Sequence, residues 1–249
     1  MYKNYIFDFY GTLADIHTDE ERQKVWEKMS LFYGYYGALY TPDELKKAYL
    51  SLAECKAISV YGYEAYPEIR IEEVFQKLFA AKGVLSDEGL VLHAGQFFRI
   101  LTTEYIRLYD GVIPMLEQLR IQGKKIYLLS NAQRIFTEYE MQMLGITRYF
   151  DGILISSDYG VKKPDPTFFK VLLEHYQLQP KDCIMIGNDA KTDIAGAASV
   201  GMDTCYMHSN LSPEYEFPVS ATYTLEKMNM DQLCQLLKSK ERTERKTEK

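Results

Sequence analysis

The hydrophobic period changes twice along the chain, and each change marks a boundary. Tyr5, Ile6 and Phe7 form a short apolar run of aromatic and β-branched residues, which predicts a buried strand over residues 3–8. Beyond Asp15 the apolar positions move to helical spacing, with Val25, Met29 and Phe32 recurring along one face. Thr41-Pro42-Asp43-Glu44 is a helix start, with Thr41 at the N-cap, Pro42 at the first position and Glu44 three residues on. That helix carries Leu45, Ala48, Tyr49 and Leu52. An aromatic loop from Ser59 to Glu68 leads to a helix from Ile71 to Ala81 bearing Val74, Phe75 and Leu78. Ser86-Asp87-Glu88 opens a further helix that runs towards Tyr109. Residues 16–106 therefore read as helices alone.

From Asp110-Gly111 onwards strands and helices alternate. Runs at Lys125–Leu129, Gly152–Ser156 and Cys183–Gly187 predict strands, and Thr204–Met207 and Ala221–Leu225 predict shorter ones. The stretches between them carry helical patterns, including Met115, Leu116 and Leu119, then Phe168, Val171 and Leu172. This alternation predicts an α/β fold with a Rossmann-like, doubly wound parallel sheet. The first strand joins that sheet, so the helical block is an insertion. The expected division is a core of residues 1–15 and 107–237, a helical cap of residues 16–106, and a charged tail of residues 238–249. The tail lacks an apolar anchor and is expected to be solvated.

Composition narrows the class. An apolar share of 47% is enough for a sizeable core. The net charge of −6 disfavours nucleic acid or an anionic membrane as a partner. No apolar run approaches a membrane span and no signal-peptide pattern opens the sequence. Cys55, Cys183, Cys205 and Cys234 are scattered, and are expected to be reduced core residues of a cytoplasmic protein. Monomer and homodimer both remain open.

Chemistry gathers at the strand ends. The first strand delivers Asp8 and, beyond Gly11, Thr12; the next delivers Ser130 and Asn131. The loop after the third supplies Lys163, and the fourth supplies Asn188, Asp189 and Asp193. Ligands of parallel sheets bind beyond the carboxyl ends of the strands, so these groups should meet in one cleft. Three carboxylates together need cations, which Lys163 and a bound Mg2+ would supply.

In that order, Asp8-Phe9-Tyr10-Gly11-Thr12-Leu13, Ser130-Asn131, Lys163-Pro164-Asp165-Pro166 and Gly187-Asn188-Asp189 with Asp193 resemble the four motifs of the haloacid dehalogenase-like hydrolase superfamily. The helical insertion is similar to that family's small helical cap. The resemblance implies a small anionic substrate and a covalent intermediate on Asp8. It implies that Thr12 and Ser130 hydrogen-bond the nucleophile or the transferred group, and that Lys163 offsets charge. It further implies that Asp8, Asp189 and the carbonyl of Tyr10 hold Mg2+, with Asp193 assisting the metal or holding Lys163.

Two positions depart from the phosphatase pattern. Most phosphatases of the family carry an acid–base Asp where this chain has Tyr10. A phenol of pKa near ~10 can donate a proton but is a poor base near neutrality. Tyr at that position resembles the family's 2-haloacid dehalogenases, whose halide leaves without a proton. At the fourth motif Asn188 stands where those phosphatases have Asp, and Asp189 follows, so either could face the metal. The favoured expectation is a Mg2+-dependent phosphatase of a small phosphorylated metabolite. The alternative is a metal-independent dehalogenase, for which Arg22 and Arg70 are loose candidates for a substrate-binding arginine. A third reading is a non-catalytic binding protein. His17 is a further candidate for substrate contact, and the loop from Tyr61 to Arg70 a candidate for substrate contact or packing.

Overall fold

A computed structural model describes residues 2–54, 65–214 and 219–236. Cys55, Tyr61 to Glu64 of the aromatic loop, and the tail 238–249 lie outside the described residues. Strand β1 (Asn4–Phe7) is the third strand of a six-stranded sheet. It lies between β4 (Lys125–Ser130) and β6 (Cys183–Gly187), parallel to both. β5 (Gly152–Ile155) extends one side, while β7 (Asp203–Met207) and β8 (Tyr223–Leu225) extend the other. Counted along the chain within this sheet, the strands lie in the order 3-2-1-4-5-6, the doubly wound arrangement.

Period-2 alternation explains why both faces of the sheet are covered. Tyr5 and Phe7, Ile126 and Leu128, and Ile184 and Ile186 point into one apolar cluster. Helices α5 (Val112–Ile121) and α6 (Arg134–Met143) contribute Leu116, Leu119 and Met141 to the same cluster. Ile6, Leu129 and Met185 point the other way, onto Phe168, Phe169 and Leu172 of α8 (Pro166–His175). A short helix, α7 (Ser156–Tyr159), follows β5 directly. Strands with no solvent face carry unbroken apolar runs, which is why the sequence shows them so clearly.

Four helices form a separate layer: α1 (Gln23–Tyr35), α2 (Pro42–Glu54), α3 (Ile71–Ala80) and α4 (Glu88–Thr102). They close on a second apolar cluster of Trp26, Tyr33, Tyr49, Phe75, Phe79 and Phe98. The start of α2 is a reciprocal capping box: Thr41 N–H donates to Glu44 Oε2 at 2.9 Å and Glu44 N–H to Thr41 Oγ1 at 3.3 Å. Asp87 caps α4 by accepting from the Leu90 N–H at 2.7 Å.

The expectation of helices alone over residues 16–106 is corrected at both ends. α4 stops at Thr102 instead of running towards Tyr109, and β3 (Thr103–Leu108) follows. β3 pairs antiparallel with β2 (Ala14–Thr18), matching Ile16 with Ile106 and Asp15 with Arg107. The hydroxyls of Thr102 and Thr103 both donate to the Arg99 carbonyl, which closes the last helical turn and releases an extended chain. The helical layer is therefore joined to the sheet through a two-stranded ribbon.

Candidate active site

The sheet reverses its strand order between β1 and β6, and the candidate residues collect at that point. Asp8 follows β1, and its backbone N–H donates to the Ile186 carbonyl of β6 at 3.0 Å. Its Oδ1 accepts from Lys163 Nζ at 2.7 Å and from Ser130 Oγ at 3.3 Å. No described residue donates a hydrogen bond to its Oδ2, and the side chain keeps an 11% exposed edge. Lys163 is fully buried. Its three ammonium protons go to Asp8 Oδ1, Asp193 Oδ1 and the Leu129 carbonyl, at 2.7, 2.7 and 2.8 Å.

Burial opposes the charge on Lys163, but Asp193 and Asp8 outweigh it and hold its pKa above the ordinary value. Burial pushes the Asp193 carboxyl up against the pull of Lys163, and the charge of Asp8 adds to the rise. Two carboxylates thus share one ammonium, and the cluster has room for one more positive charge.

Asp193 also accepts from the Asp189 N–H at 3.0 Å through Oδ2. Both of its oxygens are engaged, so it acts as the holder of Lys163. It lies against Gly187, where any side chain would collide with its carboxylate. Asp193 sits in a π-helical turn over Ala190–Ala195, which continues into α9 (Gly196–Ser199). Asp189 caps that turn, accepting from the Lys191 and Thr192 N–H groups at 2.8 Å each.

Asn188 is the more buried of the pair and lies on the first motif. Its Oδ1 accepts from Thr12 Oγ1 at 3.2 Å, and its carboxamide fills the space where a Gly11 Cβ would be. Gly11 also has φ +82°, so the turn needs glycine on both counts. Thr12 is fully buried and spends its hydroxyl on Asn188. Asn131 accepts the Lys163 N–H at 2.8 Å and donates to the Lys163 carbonyl at 2.9 Å, clamping the backbone that carries the lysine.

The hydroxyl of Tyr10 is committed elsewhere. It contacts Thr137 Oγ1 at 2.9 Å, donates to Glu140 Oε2, and accepts from Arg99 Nη2 at 3.4 Å. Burial, and then the Glu140 charge, push the phenol far above its ordinary pKa, against the opposing effect of Arg99. Arg99 of α4 pairs with Glu140 of α6 at 2.6 Å and lies over the Tyr10 and Phe136 rings at 5.6 and 5.1 Å. The sequence reading missed Arg99 and Glu140. The available signal was Glu140 one helical turn from both Phe136 and Leu144, the apolar residues that bound this helix.

Other candidates are placed away from this centre. Arg22 donates to the Leu101 and Thr102 carbonyls, tying α1 to the end of α4. Arg70 is exposed beside Glu72. His17 is exposed, stacked on Tyr105 and beside Glu104. Cys183 and Cys205 are buried free thiols, and Cys234 is half-buried.

A metal here would find oxygen donors. Asp8 offers the oxygen that no described residue hydrogen-bonds, and Asn188 offers its carboxamide beside the same turn. No cluster of three or more acidic, His or Cys ligands exists among the described residues. Mg2+ fits such a set, since it binds through one or two carboxylates and fills its shell with water and substrate oxygens.

A doubly wound sheet with an aspartate–lysine centre at its switch point defines an α/β protein with a buried ionic cluster where such sheets bind ligands. The family model for haloacid dehalogenase-like hydrolases matches residues 2–201, and the chain belongs to that family. A glyceraldehyde 3-phosphate phosphatase of Methanopyrus kandleri is 32% identical over 130 residues, 52% of this chain and 56% of that protein. The chain thus spans about half the length of the curated relatives it matches. A 2-haloacid dehalogenase from Pseudomonas syringae has the same fold, with a TM-score of 0.65 at 21% identity over 96% of this chain and 99% of that one. So does a putative HAD-hydrolase from Bacillus subtilis bound to magnesium, with a TM-score of 0.56 at 21% identity over 95% and 99%. No helix among the described residues is long and apolar enough to cross a membrane.

Proposed function

We propose that this protein is a Mg2+-dependent phosphatase of a small phosphorylated metabolite, working through a covalent phosphoryl group on Asp8. One observation carries the reading: Lys163, held by Asp193, grips one oxygen of Asp8 and leaves the other unengaged at the exposed edge. A carboxylate so oriented attacks phosphorus, forming a bond from an Asp8 oxygen to phosphorus as the bond to the leaving oxygen breaks, and the leaving oxygen takes its proton from water. Water then attacks phosphorus and releases phosphate, restoring Asp8. Lys163 remains protonated throughout and offsets the charge that builds up. Ser130 orients the nucleophile, Asn131 fixes the lysine loop, and Thr12 fixes Asn188.

Asp8, the Tyr10 carbonyl, and Asn188 or Asp189 would hold Mg2+, whose charge would neutralise a phosphate dianion. The phosphatase names of curated relatives support this reading, as does the magnesium bound by the Bacillus subtilis protein. The helical layer of α1 to α4 is the lid of this site, and the β2–β3 ribbon is its hinge.

Two observations favour a second reading. The Tyr10 hydroxyl donates its hydrogen bond to Glu140, and the position beside Thr12 is a neutral amide. A metal-independent dehalogenase needs neither a leaving-group acid nor a second acid at the metal. The test is a paired assay on purified protein. One half follows phosphate release from p-nitrophenyl phosphate with Mg2+ and with EDTA, for wild type and Asp8→Asn. The other half follows halide release from 2-chloropropionate. Mg2+-dependent phosphate release that vanishes in Asp8→Asn is the expected result. Metal-independent halide release would transfer the assignment to the dehalogenase.

A further inference from the structure

Among the described residues, two polar contacts dock the helical layer on the core, beside the β2–β3 ribbon and the packing of Ile135 of α6 against α4, and they differ in the cost of breaking them. The first is the socket around Arg99. Its guanidinium side chain is 18% exposed and Glu140's is 9% exposed, with Tyr10 and Phe136 enclosing the pair. Parting them would leave two buried charges without partners, which is among the costlier events in a protein.

The second contact is the stretch Tyr66–Ile71, which leads into α3. Lys162 N–H donates to the Tyr66 carbonyl at 3.1 Å and Glu68 N–H to the Gly160 carbonyl at 3.0 Å. Pro67 faces Val161 in an antiparallel bridge between these bonds. Side chains complete the clasp. Ser156 Oγ donates to Glu68 Oε2 at 2.8 Å. Gln133 Nε2 donates to the Ile69 carbonyl at 3.0 Å and Glu68 Oε1 at 3.3 Å, while its Oε1 accepts the Ile71 N–H at 2.9 Å.

These groups have other partners to fall back on. The Ser156 proton can move to the Ala132 carbonyl, 3.2 Å away. Gln133 and Glu68 are only half-buried, so water can replace their partners. The clasp is thus the weaker of the two polar contacts.

The clasp also reaches the chemistry. The stretch it grips, Gly160–Lys162, runs directly into Lys163, whose backbone Asn131 holds from the other side. Gln133 lies two residues beyond Asn131 in the loop after β4. We propose that Glu68 is a positioning residue: it latches Tyr66–Ile71 onto Gly160–Lys162, so that lid closure and the seating of Lys163 are one event. This rests on the phosphatase reading for its kinetic consequence, but not for its structural one.

The test uses the full chain as wild type, Glu68→Ala and Glu68→Gln, with folding checked by circular dichroism. Amide hydrogen exchange is read at Glu68 and Lys162, and kcat/KM with p-nitrophenyl phosphate and Mg2+. In Glu68→Ala both amides should exchange about ten-fold faster, as follows from losing a charge-assisted hydrogen bond. The value of kcat/KM should fall by a similar factor. Glu68→Gln should restore most of both, because its amide oxygen still accepts the Ser156 proton. Unchanged exchange at Lys162 in Glu68→Ala would show that Glu68 is no latch. Faster exchange with unchanged kcat/KM would show that the clasp and Lys163 are independent. A wild type without phosphatase activity would overturn the functional reading alone, since the exchange result still judges the latch.

Discussion

Lys163 is the residue on which the site most depends. It is buried between Asp8 and Asp193 and spends every proton on them and on one carbonyl. Replacing it by Met keeps the volume but leaves two buried carboxylates facing each other. Breaking a buried ion pair from one side costs about 3–5 kcal/mol, so Lys163→Met should lose that much in urea unfolding as well as its activity. Tyr10→Phe should behave differently. It removes a hydroxyl bonded to Glu140, which keeps Arg99, so the loss should be about 1–2 kcal/mol. Turnover of p-nitrophenyl phosphate should stay within about ten-fold of wild type, because a phenol already committed to Glu140 supplies no proton to the leaving group. A much larger drop would show that the Tyr10 hydroxyl takes part in turnover despite its bond to Glu140. Asp8, Lys163 and Asp193 were legible in the sequence because strand ends in one parallel sheet must converge. The partners of Tyr10 were not. Arg99 and Glu140 lie on helices far apart in the chain, and nothing in either local pattern states that they meet.

Among the elements, the sheet strands were legible and the ribbon was not. β1, β4 and β6 are buried on both faces and show as apolar runs. β2 and β3 are partly solvated, with patterns such as Thr103-Glu104-Tyr105-Ile106 that resemble the end of a helix as much as a strand. The ribbon is tied to the loop after β7 by Asp15, which accepts from Arg107 Nη2 at 2.8 Å and from Asn210 Nδ2 at 2.9 Å. Burial of Asp15 opposes its charge, but the hydrogen bonds from Asn210 and Arg107 outweigh it and hold the carboxyl below its ordinary pKa. A depressed acid adds stability above its unfolded pKa, and that stability disappears as pH falls through the folded value. Asp15→Asn should therefore be less stable than wild type above about pH 5, and the gap should begin to narrow near pH ~4 and close only as pH falls through the lower, folded value. Urea midpoints measured across that range check this. A gap independent of pH would mean the ribbon is held by packing and not by the Asp15 charge.

At the scale of the molecule, a parallel sheet positions the Asp8–Lys163 cluster, and a helical layer with its own aromatic core is docked on it. The layer is docked by a costly ionic socket and a cheaper hydrogen-bonded clasp, an arrangement suited to opening at one edge. The core's unbroken apolar runs and the layer's helical spacing made this division readable, but the two polar docking contacts depend on tertiary geometry alone. The central claim is that Asp8 takes up a phosphoryl group. Its most direct test is acid-quenched mass spectrometry of the protein after brief mixing with p-nitrophenyl phosphate and Mg2+. The account predicts one phosphoryl group on the peptide that contains Asp8, absent in Asp8→Asn and absent with EDTA. An unmodified Asp8 peptide during active phosphate release, or an alkyl ester on Asp8 after mixing with 2-chloropropionate, would contradict it.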